Sequence, residues 1–440
     1  MCSDQEDDMG TRRVLTAGRS AFTAVLASAL ALRAAVLISA GRPWDAGTWS
    51  AWTIDPDSHG YLALASDLSD GVQDSASTRT PGYPVFLAAT GAASGSTLPA
   101  VILQQLVDVA TAAIAGLMAS RSGGNRWWTA SLAYLLMPAP AVYSSRILPD
   151  CILALVCAVT CLVWLSAGGR NGMRILVAAC GMIGLLLSVG TLVKPALMFA
   201  AAVYAILVLA NREVALRGRV LAVAVLLAAS SAGPLALRFH NRVSFGLDAI
   251  SAQDGYEQAG RVWVLTGRAT QLEFLTEVKD SVDLMATVDG TVDFGLRNRI
   301  YREMALSEFS EHPAEVLVPH VTSWPRFFST GIGGTLRYMG LPPNSPLSLP
   351  LKAAGALLYL SMPVGLILGA LSKRIRSSIG PLLALAGAWM AVMALVHGPL
   401  AGPRYGLTFF PVLCAAATAS LWLLFRRKEI ATGTNGTSAQ

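Results

Sequence analysis

The sequence predicts an all-α polytopic membrane protein with about ten transmembrane helices and two long external loops carrying short amphipathic helices. Three observations predict it. Charged residues make up 14% of the 440-residue chain, against about 25% in an ordinary soluble protein. Apolar residues reach 54% and the mean hydropathy is +0.53. Long stretches carry no charge at all, Cys151 to Gly169 and Ile175 to Val193 among them, and about 20 apolar residues suffice to cross a bilayer. These features exclude a soluble enzyme, a secreted protein and a chromosomal DNA-binding protein.

The elements follow in order. Residues 1–19 read as a cytoplasmic tail, acidic at Asp4, Glu6, Asp7 and Asp8, then basic at Arg12, Arg13 and Arg19. The apolar run that follows is long enough to span, so this is not a cleavable signal. A transmembrane module occupies 20–237, with spans at 20–40, 98–119, 127–144, 149–167, 175–192, 195–210 and 218–237. A large external loop covers 238–350. Three C-terminal helices, 351–371, 378–397 and 404–425, fill 351–428, and a disordered tail is expected over 429–440. The first external loop, 41–97, opens with Trp44, Trp49 and Trp52, an aromatic group suited to the membrane interface. In the second loop, Arg297 to Phe309 has a helical pattern, and His312 to Phe328 reads as an amphipathic helix lying on the membrane.

Charge orients the chain. With the N-terminus inside, the cytoplasmic segments hold Arg121 and Arg126, Arg170 and Arg174, Arg212, Arg217 and Arg219, Lys373, Arg374 and Arg376, and Arg426, Arg427 and Lys428. The short external turns are nearly bare. This Lys/Arg excess inside places both termini in the cytoplasm. It also accounts for the net charge of +6 without nucleic acid as a partner. Five of the six cysteines lie in apolar runs and read as packing thiols.

Polar residues in a membrane protein are costly and ask for a reason. Most candidates cluster on the external face. Asp55, Asp57, His59 and Arg79 lie in the first loop, Arg146 and Asp150 at the next external turn, and Lys194 at the third. Arg238, His240 and Arg242 follow the seventh span, and His397 and Arg404 bracket the last external turn. Arg33 and Asp108, mid-span, read as a buried pair joining two helices. Asp57 and Ser58 also fit a helix start, so a capping role competes with a catalytic one.

The local motifs are Asp55-Pro56-Asp57-Ser58-His59-Gly60-Tyr61, then Arg79-Thr80-Pro81-Gly82-Tyr83-Pro84, Ser145 to Asp150, Lys194-Pro195, and Pro403-Arg404-Tyr405 continuing to Pro411. Together they resemble the C-type glycosyltransferase superfamily, nearest to bacterial relatives of protein O-mannosyltransferases and lipid A aminoarabinose transferases. The resemblance covers most of the chain. It implies an integral membrane hexosyl or pentosyl transferase that uses a polyprenyl-phosphate sugar, with a first-loop carboxylate as catalytic acid or base, by position Asp57. Many members carry two adjacent acids there. Here Ser58 follows Asp57, and Asp55 is the alternative base.

The physical logic stands beside the resemblance. Charge collects on the leaving phosphate as the glycosidic bond breaks, and fixed cations stabilise it. Arg404, Lys194 and Arg79 are the candidates, with Tyr61 and His397 as further substrate contacts. A carboxylate, Asp57 or Asp55, takes the acceptor proton. Asp150 is a possible second acid, or a cap of its helix. No ligand spacing defines a metal site, and a divalent metal through Asp57, Asp150 and a histidine stays open, with no other cofactor indicated. The expected function is inverting transfer to a cell-envelope acceptor (lipid, glycan or protein) at the external face. The alternative is a transporter or flippase of lipid-linked sugars.

Overall fold

The computed structural model describes residues 57–71, 79–122, 127–167, 172–323, 327, 348–398 and 403–433, together with isolated positions between 23 and 34. The expected first span and Asp55 therefore lie outside the described residues, apart from those isolated positions.

Fifteen helices are labelled here. In the first loop, α1 (Ser58–Ser69) and α2 (Gly82–Ala89) pack on each other. They are followed by α3 (Leu98–Arg121), α4 (Trp127–Leu135), α5 (Pro138–Tyr143), α6 (Asp150–Ala167), α7 (Met173–Val193), α8 (Ala200–Ala210) and α9 (Leu216–Phe245). The second loop carries α10 (Asp254–Leu265), α11 (Phe294–Glu311) and α12 (Pro313–Thr322). The chain then continues into α13 (Ser348–Leu371), α14 (Lys373–His397) and α15 (Phe410–Gly433). Among the described residues, five helices are long and apolar enough to cross a membrane: α3, α6, α7, α9, and Ile375–His397 within α14. Pro195–Ala210, Tyr359–Leu371 and Phe410–Leu424 are apolar but shorter. The protein is a multi-pass membrane protein, and the described residues do not confirm the expected count of ten spans.

Several expectations change. The stretch 127–144 is not one span. Met137 is extended, with φ −69° and ψ 129°, because it precedes Pro138, and a residue before proline is pushed out of the helical region. The run 195–210 opens as a tight turn, Pro195–Phe199, before α8 begins. Helix α9 is 30 residues long, about 45 Å at 1.5 Å per residue. It therefore contains Arg238, His240 and Arg242, which were expected on a turn beyond it. Helix α15 runs to Gly433, past the expected end at 428. The second loop also holds one small hairpin, Thr287–Val288 with Thr291–Val292, turned by Asp289 and Gly290, both at positive φ.

The main core lies where α3 meets α4, α6 and α15. Five free cysteines are buried, with Cys157, Cys161, Cys180 and Cys414 among the apolar core. The Tyr204 hydroxyl donates to Thr160 at 2.9 Å and accepts from the Trp389 indole at 3.4 Å, tying α8 to α6 and α14. A second core of Ala259, Val262, Phe274, Val282, Tyr301, Ala305 and Val316 makes the second loop a packed body.

Arg33 and Asp108 form the buried ion pair expected of them. Asp108 also accepts the Tyr134 hydroxyl at 2.7 Å, and Arg33 donates to Gln105 at 3.0 Å. Removing one partner of a buried pair leaves an uncompensated charge, so Asp108→Leu should cost about 3–5 kcal/mol of stability. Arg33→Met added to it should recover part of that loss. Chemical unfolding in detergent checks both, and equal losses in the single and double variants would contradict the pairing.

Candidate active site

Five segments bring the site together. The first is the start of α1 at Asp57. Its side chain does not cap the helix it precedes, so the capping reading gives way. Ser58 anchors this end by donating to the Ile147 carbonyl at 2.8 Å.

The second is the approach to α2. Thr80 donates to the Val193 carbonyl at 3.2 Å. Gly82 presses against the chain at Leu192, where a Cβ would come within 2.7 Å of the carbonyl oxygen, so only glycine fits. The Tyr83 hydroxyl donates to Gln104 at 2.6 Å. Arg79 is thereby fixed beside α1, 4.6 Å above the Tyr61 ring.

The third is the turn before α6. Gln104 donates to the carbonyls of Ser144 and Arg146, at 3.0 and 2.6 Å, and Gln105 donates to the Ser145 hydroxyl at 2.8 Å. This polar support holds Asp150 at the first position of α6. The fourth is Lys194, which takes an extended conformation, φ −153° and ψ 125°, because it precedes Pro195 and so ends α7. The fifth is a short helix, Pro403–Gly406, which carries Arg404.

The charged ends form one alternating chain. Arg79 Nη2 lies 3.3 Å from Asp57 Oδ1, and Arg404 Nη1 lies 2.7 Å from Asp57 Oδ2. Arg404 Nε lies 3.0 Å from Asp150 Oδ2, and Lys194 Nζ lies 3.2 Å from Asp150 Oδ1. Every oxygen of the two carboxylates meets a cation, and Arg404 is shared by both. Exposure separates the acids: Asp150 is 1% exposed, whereas Asp57 is 37% exposed.

Electrostatics follow from this arrangement. Burial alone would raise the Asp57 carboxyl, but Arg404 and then Arg79 outweigh it and hold it below its usual 3.8. Burial disfavours charge on Arg404 too, yet Asp150 and Asp57 keep its guanidinium charged. Burial pushes the Tyr61 and Tyr405 hydroxyls up to about 12, so both are neutral donors.

Aromatic rings wall the chain on two sides. Tyr405 stacks on His397 at 3.9 Å, and the Lys194 ammonium sits 4.8 Å from the Tyr405 ring centre. Tyr83 meets Tyr61 edge-on at 5.0 Å.

The site thus unites Asp57, Arg79, Tyr61, Asp150, Lys194 and Arg404. His397 adjoins it through Tyr405. His59 is exposed on α1. Arg238 is drawn away to Asp248, at 2.7 and 2.8 Å. Among the described residues the donor set does not fit a divalent metal: each oxygen of the two carboxylates already meets a cation, and no group of three His, Cys, Asp or Glu side chains is placed to hold an ion. Sequence reasoning gave no role to Tyr405, Tyr83, Gln104 or Gln105. The two glutamines inside the apolar run 98–119 were the available signal.

No protein-family model matches the chain, and no curated protein matches it by sequence. Among solved structures, it resembles the archaeal oligosaccharyltransferase AglB from Archaeoglobus fulgidus, determined in complex with an inhibitory peptide and a dolichol-phosphate. The TM-score is 0.53 at 14% identity, over 95% of this chain and 52% of that one. The chain spans about half the length of that protein. The likeness is one of fold, and it agrees with the C-type glycosyltransferase resemblance carried by the motifs.

A depressed carboxyl stabilises the fold above its unfolded value and ceases to do so as pH falls through its folded value. The stability difference between wild type and Asp57→Asn should therefore hold from pH 7 down to the unfolded value of 3.8 and shrink only below it. Unfolding titrations across that range check this, and a difference that fades between pH 6 and 5 would contradict it.

Proposed function

We propose that the protein is a membrane glycosyltransferase that moves a sugar from a polyprenyl-phosphate donor to a cell-envelope acceptor at the external face, with Asp57 as general base. The observation that carries this reading is the alternating chain Arg79–Asp57–Arg404–Asp150–Lys194. The fold shared with an oligosaccharyltransferase supports it. That enzyme's structure holds a dolichol-phosphate, a lipid phosphate of the same chemical kind as the proposed donor.

Charge balance favours a monophosphate donor. Three cations against two carboxylates leave the chain at +1, which matches the single charge of a sugar phosphodiester. In the transfer, the glycosidic C–O bond breaks and its electron pair stays on the phosphate, which becomes a dianion. The acceptor oxygen or nitrogen bonds to the anomeric carbon and its proton passes to Asp57, so the site gains one positive charge as the phosphate gains one negative. The sum is zero before and after, which suits a low-dielectric site. A diphosphate donor would leave uncompensated negative charge throughout.

The same chain makes the base conditional on the donor. With Arg404 and Arg79 on its oxygens, Asp57 is a weak base. A phosphate that draws these cations onto itself frees a carboxylate oxygen and raises its basicity. Asp57 is the acid an acceptor can reach, whereas buried Asp150 holds Arg404 and Lys194 in place. One displacement from the face opposite the phosphate inverts the anomeric centre, following the logic of single-step glycosyl transfer.

A transfer assay with radiolabelled polyprenyl-phosphate sugars and membrane extract as acceptor tests the reading. Asp57→Asn should lower the rate by about 10²–10⁴-fold with donor binding retained, and Arg404→Gln should lose donor binding. Unchanged transfer by Asp57→Asn would remove it as base. Movement of lipid-linked sugar across proteoliposomes with no transfer would overturn the enzyme reading.

A further inference from the structure

The second loop contacts the chain on both sides of Arg404. At the near end is Gly398, which closes α14 with φ +49° and ψ −128°. His320 of α12 lies flush against it, and a Cβ on Gly398 would overlap the imidazole. Ser323 donates to the Gly398 carbonyl at 2.6 Å. From α10, Arg261 donates to the Val396 carbonyl near the end of α14. The imidazole is itself fixed, with Nδ1 2.7 Å from the Val316 carbonyl. At the far end, Phe327 is fully buried and meets Phe409 edge-on at 5.4 Å. Its carbonyl lies against Gly406, 3.2 Å from where a Cβ would stand. Arg404 sits between the two grips.

Over residues 403–409, backbone bonds outside the short helix run from Leu407 N to the Arg404 carbonyl, 3.3 Å, and from Phe409 N to the Gly406 carbonyl, 3.1 Å. A four-residue helix lacks the length to be stable alone. Arg404 nonetheless must present two different nitrogens to two carboxylates, which demands a fixed backbone.

We infer that His320, Ser323 and Phe327 are positioning residues for the transfer reaction: from the second loop they clamp Gly398 on one side of Arg404 and Gly406 and Phe409 on the other, and so set Arg404 against Asp57, Asp150 and the donor phosphate. The part concerning phosphate rests on the proposed function, whereas the clamp itself does not. Arg261 secures the clamp to α14. A site at the ends of membrane helices is thereby completed by a separately packed body, and loosening that body loosens the phosphate contact without touching any reacting group.

Two readouts on the full-length protein in nanodiscs separate these parts. Hydrogen–deuterium exchange over residues 403–409 reports the clamp without any ligand. Titration with geranylgeranyl phosphate reports its effect on phosphate binding. Phe327→Ala and His320→Ala should each speed exchange over 403–409 and weaken geranylgeranyl phosphate by about tenfold to 10²-fold, as expected for a displaced contact. Gly398→Ala should do the same, because its methyl meets the imidazole and a side chain strains the backbone at φ +49°. Exchange over the distant helix α3 should stay at the wild-type rate in these variants, which general destabilisation would not allow. Should Phe327→Ala prove unfolded, the Gly398 and His320 pair carries the test. Wild-type exchange and affinity in all three single variants would overturn the clamp. Faster exchange with unchanged geranylgeranyl phosphate affinity would overturn its role in positioning Arg404. No binding of geranylgeranyl phosphate by folded wild type would sink the donor assignment, while the exchange data would still decide the clamp.

Discussion

One guanidinium, that of Arg404, is shared between the carboxylates of Asp57 and Asp150, and the arrangement of the site depends on it. Charges withdrawn from water are expensive and are tolerated only when paired and hydrogen-bonded in good geometry. Here the pairing is complete, since the remaining carboxylate oxygens meet Arg79 and Lys194. The cost of assembling five such groups is offset only if each is delivered accurately. That requirement explains why so much backbone around the site is fixed by proline, glycine or a buried amide.

The delivery uses the ends of helices more than their middles. Asp57 precedes α1, Asp150 opens α6, Lys194 closes α7, and Arg404 sits just before α15. A helix end is where a side chain can leave an apolar core while its backbone stays anchored. The network under the site serves the same purpose. Tyr83, Gln104 and Gln105 fasten the loop at Arg79 and the turn at Asp150 to α3, so that two segments far apart in sequence share one support. Tyr405, held by His397 on one side and placed beside Lys194, does the equivalent work on the opposite wall.

Much of this was legible in the sequence. In a chain with few charges, acids and bases gathered at several turns between apolar runs stand out, and the same residues meet in the structure: Asp57, Arg79, Asp150, Lys194 and Arg404. What did not show was who pairs with whom. Asp150 read equally as a cap or a second acid, because its neighbours Lys194 and Arg404 are 44 and 254 residues away. His397 read as a substrate contact, and its stacking on Tyr405 could not be read from spacing. The long run 127–144 read as a span because hydropathy ignores how Pro138 constrains the residue before it. Helix α9 runs on past Leu237 because its last turns, rich in arginine, still satisfy a helix that emerges from the apolar layer. The contacts of His320, Ser323 and Phe327 with Gly398, Gly406 and Phe409 were invisible for the simplest reason: small residues such as Gly398 and Gly406 carry no pattern, only a need for space.

On the proposed reading, three fixed cations receive the donor phosphate and one reachable carboxylate is held in check until it arrives. The most direct test is a cryo-electron microscopy structure of the full chain with bound geranylgeranyl phosphate. The account predicts a phosphate within hydrogen-bonding distance of Arg404 and Lys194, with the Arg404–Asp57 contact lengthened or lost. A phosphate bound elsewhere, or one that leaves the Arg79–Asp57–Arg404–Asp150–Lys194 chain intact and untouched, would contradict it.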